Sequence, residues 1–227
     1  MKKFIGSTIK LYKLVTEKNY QISVEDLTKL LLEFVQKCTN ENLNQIYKNF
    51  NSNPLSLNKF YEFVNKNEVV EFSAYSRKIE NEKNQTFINY GNSLLNRTGK
   101  YKKTTEYKNE IDFVDLIIYL DNYFIKENEV VEFIKIIFQI FNFDYGYTFY
   151  LEKNQSCLNE RKGLFSIPTG NTEEDIEKRE KMKEIKNGYV PKIYKYNFLN
   201  NIQIKTLNIK NIVNITNNLY LYIKEEE

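Results

Sequence analysis

The sequence predicts an α+β fold: a mostly antiparallel sheet with amphipathic helices packed on it. Three observations carry this expectation. Short runs whose apolar residues recur at every second position, the period of a strand, occur at 4–15, 68–78, 111–120 and 145–152. The stretches 23–37 and 127–141 change to helical spacing, with one apolar and one charged face. The resulting order, β-α-(α)-β(β) and then β-α-β-α-β, interleaves strands and helices in the manner of an α+β protein.

The first strand takes its apolar positions from Ile9, Leu11, Leu14 and Val15. Ser23 then supplies a side-chain oxygen for the free amides of a helix start, with Asp26 three residues on. Val24, Leu27, Leu30, Leu31, Phe34 and Val35 share one face of that helix, and Glu25, Lys29, Glu33 and Lys37 face water. Leu43, Ile46, Tyr47 and Phe50 predict a second, short helix, broken at Asn53-Pro54. Ser56 caps another, carrying Leu57, Phe60, Tyr61 and Val64. A strand is expected over 68–78, paired with one at 85–91, and a polar Lys/Thr/Asn loop over 96–109.

The second half opens on a strand with Val114, Leu116, Ile118 and Leu120 on one side and Phe113, Ile117 and Tyr119 on the other. Two apolar faces predict a central strand covered on both sides. In the helix that follows, Val130, Phe133, Ile134, Ile137, Phe138 and Phe141 form the buried stripe. A polar surface helix is expected from Thr172 to just before Gly188, and strands near 189–196 and 218–224 close the chain. One domain over 1–227 is expected; a boundary in the polar loop would instead divide it into halves, 1–97 and 109–227.

Composition narrows the chemistry. There is no histidine among 227 residues, which removes the usual general base near neutral pH and the commonest metal ligand. Abundant Lys, Asn, Ile, Tyr and Phe, with a single alanine (Ala74), are what AT-rich codons produce. The lysines therefore carry little information about nucleic acid. A formal net charge of +3 implies no global field toward DNA or an anionic membrane. Cys38 and Cys157 are too few and too far apart for a disulfide framework. The N-terminus lacks the apolar run of a signal peptide, and no segment reaches the length of a membrane span. The expectation is a soluble cytoplasmic protein with no cofactor and no membrane partner.

Asp112, Asp115, Asp121, Asp144 and Glu152 are the carboxylates placed on or beside strands, and Asp115 is the semi-buried candidate. Glu160-Arg161-Lys162 forms an E-x-K triplet of the kind metal-dependent nucleases use, but in a loop and in a Lys/Glu-rich chain. No phosphate-binding glycine loop and no zinc-ligand cluster occurs. Arg97, Lys100, Tyr101, Lys102 and Lys103 interleave cations and an aromatic ring, the pattern that phosphate contact and base stacking need. Against this stands a solvated loop, and nucleic acid is not the favoured partner. Eighteen tyrosines and sixteen phenylalanines are ample supply for interface anchors. Tyr145 and Tyr147 share a strand face, and Tyr194 and Tyr196 recur in a second aromatic segment; the alternative is that these rings fill the sheet's own core.

Asp144-Tyr145-Gly146-Tyr147, then Glu160-Arg161-Lys162-Gly163-Leu164-Phe165-Ser166, then a charged helix and Gly188-Tyr189-Val190-Pro191 through Asn200 resemble a group of bacterial α+β proteins. Many of these accompany polymorphic toxins as immunity proteins. The likeness covers about residues 111–201. It implies a non-enzymatic protein that binds a toxin domain and blocks it, with Tyr145, Tyr147, Tyr194 and Tyr196 as the interface positions to test.

The first functional expectation is thus an inhibitor that occludes a toxin or nuclease. The alternative is an inhibitor, encoded by a phage or mobile element, of a bacterial defence system, such as an anti-CRISPR protein bound to a nuclease effector. A third reading, from another class, is a metal-dependent nuclease or nucleic-acid-binding protein.

Overall fold

A computed structural model describes residues 3–15, 22–48, 53–66, 69, 71–77, 85–92, 113–153, 181, 184–185 and 187–224. Among these, nine strands and four helices follow one another in the order β1 (Phe4–Leu14), α1 (Val24–Thr39), β2 (Gln45–Tyr47), α2 (Leu57–Asn65), β3 (Glu71–Tyr75), β4 (Phe87–Asn92), β5 (Phe113–Asp121), α3 (Glu127–Ile140), β6 (Tyr145–Glu152), β7 (Tyr196–Asn200), α4 (Asn201–Leu207), β8 (Ile212–Thr216) and β9 (Leu219–Ile223). The fold is mixed α+β, and the sheet dominates it.

All nine strands join one sheet in the order β2-β3-β4-β5-β1-β6-β7-β9-β8, and every pairing is antiparallel. The middle strand is β1, the longest. It pairs with β5 from Gly6↔Asp121 to Leu14↔Phe113 and with β6 as far as Tyr12↔Tyr145. Gly146 sits opposite Leu11, and a Cβ there would meet Leu11 Cδ2 at 2.5 Å and Phe198 Cδ2 at 3.0 Å. Only glycine lets the neighbouring side chains close over β6 at that point.

The period-two pattern of β5 divides as expected. Val114, Leu116, Ile118 and Leu120 join the main core with Ile9 and Leu11 of β1, Ile88 and Tyr90 of β4, and Phe72 and Ala74 of β3. Leu27, Leu31 and Phe34 of α1, Phe60 of α2, and Val130, Phe133 and Ile137 of α3 lie in that same cluster. On the other face Tyr12, Phe113, Tyr145, Tyr147, Ile185 and Leu199 form one aromatic-rich cluster, and Tyr75, Phe87, Ile117, Tyr119 and Leu151 form another.

Several elements differ from expectation. The helix expected over 43–50 is a strand at its described centre: Ile46 pairs with Ala74, and its carbonyl accepts from Leu55 N at 2.7 Å. The spacing of Leu43, Ile46 and Tyr47 fits a helix, but α1 has already ended at Asn40 in the left-handed region (φ 58°). The few residues before Pro54 gain more from edge pairing than from one isolated turn. The strand expected at 189–196 begins only at Tyr196. Pro191 has no amide to donate to a ladder, and Asn197 caps the segment from inside β7, its side chain accepting from Tyr194 N (2.8 Å) and donating to Tyr194 O (2.7 Å).

The third difference lies after β7, where α4 and β8 occupy a region in which the apolar pattern predicts no element. Asn200 starts α4 by accepting from Ile202 N and Gln203 N, and Gln203 Oε1 accepts from Asn200 N at 2.9 Å, a complete capping box. Most of the polar helix expected from Thr172 lies outside the described residues. At its described end Ile185 is fully buried rather than at the surface, and Gln203 Nε2 donates to its carbonyl at 3.0 Å.

Candidate functional site

The structure brings three of the four candidate interface tyrosines together. Tyr145 and Tyr147 alternate along β6 onto the aromatic face, where both rings are interior, 0% and 1% exposed. Tyr147 stacks on Tyr194 with centroids 3.9 Å apart and planes 9° from parallel, and Tyr12 of β1 stacks beside it at 6.3 Å. The Tyr145 hydroxyl donates to Lys192 O at 3.0 Å. The segment before β7 is thereby pinned across β6. Tyr196 points the other way, into the main core, and is 6% exposed. In this arrangement Tyr145, Tyr147 and Tyr196 are core side chains, and Tyr194, half-buried, is the ring of the four nearest the surface.

Arg97, Lys100, Tyr101, Lys102 and Lys103 lie outside the described residues, as do Asp112, Cys157 and the Glu160-Arg161-Lys162 triplet. The described carboxylates have structural partners. Asp144 Oδ2 accepts from Leu14 N at 2.8 Å and holds the end of β1. Asp121 Oδ1 accepts from the Tyr119 hydroxyl at 2.9 Å. Asp115 is half-buried opposite Gly91. Among the described residues no group of three or more Asp, Glu or Cys side chains is arranged so that it could hold a metal ion.

The site that sequence reading missed lies between α1 and α3. Leu30, Glu33, Phe34, Lys37 and Cys38 fall at helical spacing along one side of α1, and Glu129, Glu132, Phe133 and Ile136 along the facing side of α3; with Tyr123 they line a groove of about 240 Å³. Its base is the Phe34–Phe133 stack, centroids 3.8 Å apart. At its mouth Lys37 Nζ reaches Glu132 Oε2 at 3.2 Å, an exposed ion pair across the two helices. Ile136 stands at the lip, 43% exposed.

The polar end of the groove is a short chain of hydrogen bonds. Lys126 N donates to Glu129 Oε2 (2.8 Å), closing the start of α3, and the Tyr123 hydroxyl donates to Glu129 Oε1 (2.7 Å). Burial raises the Glu129 carboxyl, but the Lys126 amide, the Tyr123 hydroxyl and the charges of Lys126 and Lys37 outweigh it and hold the group below its usual range. Burial, then the Glu129 bond, pushes the Tyr123 hydroxyl well above an ordinary tyrosine. Burial, reinforced by the Glu129 charge, pushes the Cys38 thiol up to about 11. At neutral pH the groove therefore presents a protonated thiol, a neutral phenol and an ionised carboxylate. A thiol in that state is a poor nucleophile, so the arrangement is suited to binding an apolar group beside negative charge. The signal available in sequence is the amphipathic pattern of each helix; that these two are neighbours is not readable from it.

No family model matches the chain, and no curated protein matches it. Among solved structures the chain is similar to the Pseudomonas aeruginosa T6SS protein PA0821, with a TM-score of 0.56 at 11% identity. The match covers 96% of this chain, which spans 66% of the length of that structure. At that identity the likeness concerns the fold.

Proposed function

We propose that this chain is a non-enzymatic inhibitor that binds a toxin or nuclease and occludes it, as an immunity protein does. The observation that carries the reading is the fold likeness, over 96% of the chain, to a T6SS protein, which is compatible with a secretion-system or toxin-related setting. The groove between α1 and α3 supports binding over catalysis, since its thiol, phenol and carboxylate are each held away from titration near pH 7. An occluding interface would bury on the order of 1,600 Å² around a few anchors.

The test is capture of the tagged chain from its native cells with and without nuclease treatment, followed by assay of the captured protein's activity. A stoichiometric partner that survives nuclease and loses activity as more of the chain is added is the expected result. Recovery of nucleic acid alone, or a partner whose activity is indifferent to the chain, would overturn the proposal.

A further inference from the structure

We infer that the α1–α3 groove receives a cationic amphipathic segment of the partner protein, with one large apolar side chain seated in the groove and Lys or Arg on either side of it. The inference rests on the inhibitor reading and names the chemistry of its contact. Three observations carry it. The groove's volume of about 240 Å³ exceeds the ~150 Å³ in which an apolar cavity takes up benzene, so a leucine or an aromatic side chain fits. Its walls are apolar where such a side chain would rest, on Phe34, Phe133 and the half-exposed Ile136.

The third observation is charge. On a chain of net charge +3 the groove is lined by three glutamates and one lysine. That lysine, Lys37, is already engaged with Glu132. Glu129 is held in its ionised form, and Glu33, exposed on α1, has no ion-pair partner among the described residues. A basic segment is therefore attracted and oriented, whereas a phosphate backbone or an anionic membrane meets like charge. Two copies of this chain docked groove to groove would also oppose glutamate to glutamate, so the occupant is a different protein.

The test uses the full chain in its native cells, with benzoylphenylalanine, a photo-crosslinker, replacing either Ile136 at the groove lip or Ile202. Ile202 is 50% exposed on α4, whose Ile204 packs with the cluster on the opposite face. Irradiation is expected to join position 136, and not 202, to a partner peptide in which an apolar residue is flanked by Lys or Arg. A Glu33→Lys/Glu132→Lys double variant should recover the partner roughly tenfold less well. Glu62→Lys, at an exposed site on α2 outside the groove, should recover it normally, and both variants should melt like the unaltered chain. If the unaltered chain captures its partner but crosslinking occurs only at 202, or at neither position, the inference falls and the inhibitor reading stands. Charge reversal without effect has the same meaning, as does a crosslink to a second copy, a lipid or a nucleic acid. If the unaltered chain captures no protein, both fall together.

Discussion

Tyr147 is held between Tyr12 on one side and Tyr194 on the other, and that position determines what its loss would do. A buried ring of this size cut back to alanine leaves a cavity that the surrounding sheet cannot close, at a cost of about 3–5 kcal/mol. Tyr147→Ala is expected to lower the free energy of unfolding, read from denaturant titration, by that amount, and Tyr194→Ala, whose ring is half-buried, by clearly less. Alternation along β6 was enough to place Tyr145 and Tyr147 on one face; it held no information about Tyr194, which arrives from about fifty positions away. Cys38 offers a second test at this scale. Its thiol, pushed to about 11 from an ordinary 9.0, should be alkylated by iodoacetamide with a pH–rate midpoint near that raised value in the native protein. The sign for stability follows: a folded-state value above the unfolded one favours the fold below pH 9.0 and loses that contribution as pH rises through about 11.

At the level of elements, the helix starts were the most legible features because they depend on residues adjacent in sequence. Ser23 Oγ accepts from Asp26 N at 3.2 Å and Ser56 Oγ from Lys59 N at 3.4 Å, both as their spacing predicts. The same reasoning applied to Asn200 and Gln203 would have found α4, since the reciprocal capping box is written in those two residues. Asn200→Ala is expected to cost about 1 kcal/mol, read as a drop in melting temperature, because α4 loses both of its capped amides. Where elements depend on distant partners, local pattern misleads. The pairing of Ile46 with Ala74 made a strand of a helically spaced segment, and Pro191 with Asn197 delayed the start of β7. Gly188, with φ 112°, marks the turn that ends the preceding helical residues; a Cβ there would meet Thr206 Oγ1 at 2.5 Å. Its backbone conformation and α4 packing thus both call for glycine.

For the molecule as a whole, strand alternation revealed which residues share a face but not which strands are neighbours. The order that puts β1 between β5 and β6 joins the two ends of the described sequence into one sheet, a non-local outcome no window of the sequence contains. The groove has the same origin. Phe34 and Phe133 were readable as buried, and Glu33, Lys37 and Glu132 as solvated, from each helix alone; their convergence required α1 and α3 to lie side by side. The proposed inhibitor holds its partner at this helical pair. Amide hydrogen exchange of the chain alone and in complex with its captured partner tests that directly. Slowed exchange concentrated in 24–39 and 127–140 is expected. Slowing along 189–200 or 212–223, with both helices unchanged, would contradict it.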